Sequence, residues 1–94
     1  MTTHVVMFRF HDAADVTEAR ERLNAMMGEV PGLLSVKVGS DHNRGDAAHD
    51  LVLVTVHEDR EALRQYADHP AHVAVKDWLS SRTKERAVVD TDDF

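Results

Sequence analysis

Residues 51–56 read LVLVTV, and this stretch decides how the rest of the chain is organised. Five of its six residues are aliphatic and the sixth is Thr55, the composition of a β-strand. A strand with one wet face alternates apolar and polar residues, and LVLVTV does not. Little polar alternation marks a strand covered on both faces. Whatever sheet contains it must therefore be buried on each side.

Downstream, Asp59 is a good N-cap for a short helix, REALRQY, in which Leu63, Tyr66 and Ala67 share one side. Pro70 then resets the chain. The residue before a proline avoids the α region, so His69 is expected outside any helix. Pro70 suits the first turn of a new helix, PAHVAVKDWLSSR. Glu85–Val89 and Asp90 read as a last strand before an acidic, solvated end, DTDDF.

Upstream, Ser40–Asp50 (SDHNRGDAAHD) is the longest polar stretch and is expected as an exposed loop. Before it, Leu33–Gly39 reads as a strand with Leu34, Val36 and Val38 on one face and Leu33, Ser35 and Lys37 on the other. Val16, Ala19, Leu23, Met26, Met27 and Val30 recur at helical spacing and predict a core stripe, with Asp15 or Thr17 as cap. That helix stops within Gly28–Gly32. Residues 4–10, HVVMFRF, form the first strand. His4, Val6, Phe8 and Phe10 share one face, and Val5, Met7 and Arg9 the other.

The order strand, helix, strand, strand, broken helix, strand predicts a ferredoxin-like βαββαβ α+β domain over residues 1–94, with an antiparallel sheet and helices on one face. Helices on one face leave the other bare, yet the first and third strands are apolar on both. A sheet-to-sheet homodimer, a dimeric α/β barrel, removes the conflict. A chain of 94 residues also buries less of its surface than a larger domain does.

The chain carries a net charge of −6, which opposes nucleic-acid phosphates and anionic membranes alike. The absence of cysteine excludes disulfides, thiolate zinc sites and a Cys nucleophile. The apolar run in MTTHVVMFRF is too short for a signal peptide or a membrane span, and a cytoplasmic location is expected.

Chemistry concentrates in residues 66–78, YADHPAHVAVKDW, where a phenol and two imidazoles fall within seven residues. His69 and His72, with Asp68 or His4, offer metal-type ligands, but the break at Pro70 leaves their geometry undefined. No metal or cofactor is expected. His11, His42, His49 and His57 are scattered at turns and strand ends and are expected to be solvated.

His4 at the head of the first strand, VPGLLSVKVG (30–39), HDLVLVTV (49–56) and EDREALRQYADHPAHVAV (58–75) together resemble the stress-responsive A/B barrel (Dabb) domain family. The resemblance covers nearly the whole chain, and Tyr-x-x-His-Pro-Ala-His is its most specific element. It implies a ferredoxin-like fold paired into a dimeric barrel. The family is mixed and includes plant stress proteins that form larger assemblies as well as polyketide cyclases of the olivetolic acid type. In those cyclases the general base and its partnering tyrosine are the motif's last His and its Tyr, which fall on His72 and Tyr66. The chain departs from them in a shorter first helix without bulky aromatics, and in His57 where an aromatic is common.

A histidine near its ordinary pKa of about 6.5 can take a proton α to a carbonyl, and a tyrosine hydroxyl can stabilise the developing oxyanion. The catalytic candidates are therefore Tyr66 and His72, and the substrate-binding candidates His4, Val6, Phe8 and His69. Each has a plainer role open to it: Tyr66 and His72 as packing at the helix break, His69 as a helix cap, His4 as the end of a strand. The expected function is a homodimer with a small-molecule-binding barrel cavity. The alternatives are a polyketide cyclase-like enzyme closing a ring by aldol or Claisen chemistry, and a non-catalytic stress assembly protein.

Overall fold

The computed structural model describes residues 1–94. Strand β1 (Thr2–Phe10) leads through a 3-10 turn (Ala13–Asp15) into helix α1 (Val16–Asn24). Strands β2 (Leu33–Ser40) and β3 (Leu51–His57) follow, then helices α2 (Arg60–Asp68) and α3 (Pro70–Ser80), and strand β4 (Thr83–Thr91). The strands form one antiparallel sheet in the order β2-β3-β1-β4, the ferredoxin-like arrangement.

Register assigns the two faces, because directly paired residues point to the same side. His4 pairs with Thr55 and Asp90, Val6 with Leu53 and Val88, and Phe8 with Leu51 and Arg86. This side faces the helices. There Val6, Phe8, Phe10, Leu51 and Leu53 join Ala19 and Leu23 of α1, Tyr66 of α2, and Val75 and Leu79 of α3 in the buried core. The helices cover β2, β3 and β1 but leave the inner side of β4 open, where Arg86, Val88 and Asp90 remain exposed. The outer side carries Val5, Met7, Val52, Val54, Val56 and Val89, and nothing in the chain covers it. Met7 is 40% exposed, Val52 36% and Val89 61%.

Three local expectations change. Helix α1 ends at Asn24, and the segment from Ala25 to Val30 turns irregularly through Gly28 at φ 87°. Met26 and Val30 still reach the core, but the lost helical phase turns Met27 outward, 47% exposed. At the start of this helical stretch Asp12 caps the 3-10 turn, its side chain accepting from the Ala14 amide, and Asp15, at the start of α1, makes no capping bond. In β2 the pairing shifts between Leu33 and Ser35. The extra residue breaks the two-residue alternation, so Leu33 joins Val36 and Val38 on the core side while Leu34 is expelled.

Gly32 has a specific reason to be glycine. Its φ is +80°, and a Cβ there would sit 2.8 Å from the Ala62 Cβ of α2. The loop from Asp41 to Asp50 is anchored at its far end, where the Asp50 amide donates to the Phe8 carbonyl (2.8 Å) and its carboxylate accepts from the Phe10 amide (2.7 Å). No helix is long and apolar enough to cross a membrane.

Candidate functional site

The break between α2 and α3 builds the site. His69 is extended (φ −69°, ψ 137°), as its place before Pro70 requires, and its Nδ1 accepts from the Ala71 amide at 3.1 Å. The cap starts α3 at once, so His72 lies in its first turn, close to Tyr66 at the end of α2. The Tyr66 and His72 rings lie 4.3 Å apart, tilted by 43°. His57 meets Tyr66 edge-on at 4.8 Å, and His4 stands 6.1 Å from it. Tyr66 is thus the hub of three imidazoles contributed by β1, β3 and α3.

Hydrogen bonds fix how these rings present themselves. A carbonyl can only accept, so His72 donates from Nδ1 to the Ala67 carbonyl at 3.0 Å, and the neutral ring keeps its free lone pair on Nε2. Burial pushes the His72 pKa below its ordinary value; the Ala67 bond opposes this, while His4, Lys76 and Arg86 add to it. His72 is therefore a neutral base at neutral pH. Burial pushes the Tyr66 phenol up to about 12, Arg86 pulling slightly the other way. Its hydroxyl meets only the Met26 thioether, at 3.8 Å, a weak acceptor. The phenol thus keeps its proton and has no strong partner. His4 Nδ1 meets the Asp90 carboxylate at 2.5 Å, which orients that ring.

His57 corrects an expectation. It is 0% exposed rather than solvated. Its place in the alternation Leu51, Leu53, Thr55, His57 turns it to the core side. Its Nε2 bonds the Thr55 hydroxyl at 2.8 Å, and Nδ1 has no partner. Burial, with nearby His4 adding, lowers its pKa to about 4, although Asp90 pulls upward.

Two adjoining cavities open along the uncovered side of β4. An inner one of about 300 Å³ has apolar walls that include Val6, Phe8, Leu53 and Val75. An outer cleft of about 700 Å³ is bordered by charged side chains, among them Arg60, Arg64, Asp68 and Asp92. His4, Tyr66, His72, Lys76 and Arg86 border both and form the neck between them. Of the residues expected at a site, Tyr66, His72, His4, Val6 and Phe8 converge here. His69 lines neither cavity, being committed to the α3 cap. No group of three or more His, Asp or Glu side chains is placed to hold a metal ion.

Sequence reasoning missed His57, Lys76 and Arg86. The alternation of β3 already signalled His57. Lys76 follows His72 by one helical turn, but nothing local to Arg86 shows that its strand lies opposite α3.

The fold and the neck of histidines define a ferredoxin-like α+β protein with a pocket between its sheet and helices. The chain belongs to the stress responsive A/B barrel domain family, whose model matches residues 2–93. It is 28% identical over 79 residues to an uncharacterised protein of Streptomyces coelicolor, a match covering 79% of this chain and 81% of that protein. A dimeric ferredoxin-like protein of unknown function from Bacteroides fragilis superposes with a TM-score of 0.84 at 25% identity, covering 96% of this chain and 93% of that one. A second dimeric ferredoxin-like protein of unknown function, from Jannaschia sp. CCS1, gives a TM-score of 0.81 at 25% identity and covers 97% of each chain.

Proposed function

We propose that the protein is a homodimeric barrel that binds a small carbonyl compound in the cleft beside β4 and withdraws a proton from it. The observation that carries this reading is the pairing of a neutral base with a proton-bearing donor at the neck of a cavity. His72 Nε2 takes a proton from the carbon α to the carbonyl. The Tyr66 hydroxyl donates to the carbonyl oxygen as negative charge develops there. In a substrate with a second carbonyl within reach, the enolate carbon forms a new C–C bond to it and closes a ring, and the proton held on His72 passes to the new alkoxide. That step makes the protein polyketide cyclase-like. The inner cavity, at about 300 Å³, is at the small end of ligand pockets and favours a compact substrate over one with a long tail.

Two observations support the homodimer. The outer side of the sheet is a continuous aliphatic surface on β1, β3 and β4, and two structural relatives at 25% identity are dimeric. Sheet-to-sheet pairing makes that surface an interior and leaves the cleft free on the helix side.

The test is solvent-deuterium incorporation at the α-carbon of a β-keto thioester, followed by NMR. The wild type should catalyse exchange and His72→Ala should not. Equal exchange rates in the two proteins would sink the proton-transfer reading.

A further inference from the structure

The neck contains two cations that the acid–base pair does not use. Arg86 lies on the inner side of β4, opposite Phe8, and Lys76 lies on α3 one turn beyond His72. Both border the inner and the outer cavity. Neither makes an ion pair or a side-chain hydrogen bond. The nearby carboxylates are engaged elsewhere: Asp90 by His4, and Asp92 by Thr2 and Arg60, each at 2.7 Å. Asp68 remains, on the rim of the outer cleft. In a chain of net charge −6, two unpaired cations converge beside a neutral base and a protonated phenol.

We infer that Arg86 and Lys76 form a carboxylate-binding subsite, so that the ligand of this cleft is a small amphipathic monoanion with its apolar body in the inner cavity and its carboxylate at the neck. The inference rests on the reading of the cleft as a small-molecule site and adds the class of molecule.

The chemistry fits in three ways. A guanidinium presents a planar fork that matches a carboxylate through two parallel hydrogen bonds, and Lys76 adds a point charge. Val6, Phe8, Leu53 and Val75 offer the apolar body a dry wall. Asp68, Asp90 and Asp92 border the outer cleft, and their negative charges repel a dianionic phosphate more than a monoanion. A bound carboxylate also offsets the two cations that disfavour protonated His72, so the ligand strengthens the base it is presented to.

Three probes with the same phenyl body and differently charged head groups test the inference: benzoate, benzamide and phenyl phosphate, titrated by NMR into the intact protein. Benzoate should bind the wild type about tenfold or more tightly than benzamide, as expected for a charge-assisted bond. Arg86→Leu should remove that preference while leaving benzamide binding unchanged, and Lys76→Met should reduce it less. Both side chains are exposed, and circular dichroism verifies that the variants fold. A second readout follows the His72 imidazole, whose pKa should rise on benzoate binding in the wild type and not in Arg86→Leu. Equal affinity for benzoate and benzamide overturns the carboxylate subsite and leaves the small-molecule site standing. Tighter binding of phenyl phosphate than of benzoate overturns the monoanion class. Failure of all three to bind removes the subsite and the cleft reading together.

Discussion

The Tyr66 and His72 rings lie 4.3 Å apart across the junction of α2 and α3, and the Ala67 carbonyl holds His72 with its Nε2 lone pair free. The backbone break at His69–Pro70 makes this contact possible, since a continuous helix would carry six residues through nearly two turns and turn the side chains apart.

The free lone pair sets a pH dependence. His72 works as a base only when unprotonated, and its pKa lies below the ordinary value of about 6.5. Turnover should therefore rise with pH along a limb centred below the ordinary imidazole value of about 6.5 and then level off. No alkaline fall should appear before the Tyr66 phenol ionises at about 12. A pH–rate profile checks this; a rising limb centred above neutrality would contradict it. His72→Gln should lower the plateau by roughly 10²–10⁴-fold.

Tyr66→Phe separates chemistry from packing. The hydroxyl meets only the Met26 sulfur at 3.8 Å, so its loss should cost well under about 1 kcal/mol in urea denaturation. As the oxyanion donor it should cost about 10²–10³-fold in turnover. A variant that loses stability and keeps its rate would identify Tyr66 as a packing residue alone.

His57 should make the fold acid-sensitive. Its folded pKa is about 4 and its unfolded value about 6.5, so the unfolded chain binds the extra proton in that window. Stability is complete above about 6.5 and falls as pH drops toward about 4. Between pH 7.5 and pH 5 this group alone should remove about 2 kcal/mol of stability. His57→Phe should flatten the dependence by about that amount in denaturation curves at the two pH values. An unchanged slope would show that His57 does not cause it.

The outer face of the sheet should hold the dimer. Sedimentation of the wild type is expected to give twice 10.6 kDa. Val52→Lys, placing a charge on a 36% exposed residue of that face, should give a folded monomer. A wild type that sediments at 10.6 kDa at micromolar concentration would refute the pairing.

Gly32→Ala should destabilise by about 1–3 kcal/mol, because φ +80° is strained for alanine and the new Cβ meets Ala62 Cβ at 2.8 Å. Thermal unfolding measures it. Gly28→Ala shares the positive φ but meets no atom within 4 Å, so it should cost less.

Much of the fold was legible because its signals are local. LVLVTV is a strand by composition, Asp59 caps the helix predicted after it, and Pro70 divides the last helical region in two. Where the sequence misled, alternation or helical phase changed at one residue. The bulge at Leu33–Ser35 exchanged Leu33 for Leu34, and the end of α1 at Asn24 turned Met27 outward. His57 could have been found by extending the alternation of β3 by one more residue.

Element order and ferredoxin-like topology could be read along the chain, and the resemblance to the family pointed to Tyr66 and His72 as a candidate pair. Periodicity, capping and a proline break act over a few residues and leave their mark in composition. It took the folded chain to bring His4, His57, Lys76 and Arg86 to that pair, to commit His69 to a cap, and to open the cleft along β4. Those relations depend on strand order and register between segments as much as 86 residues apart, as His4 and Asp90 are. The packing that brings such segments together is set by the whole core at once, and no single stretch of the chain records it.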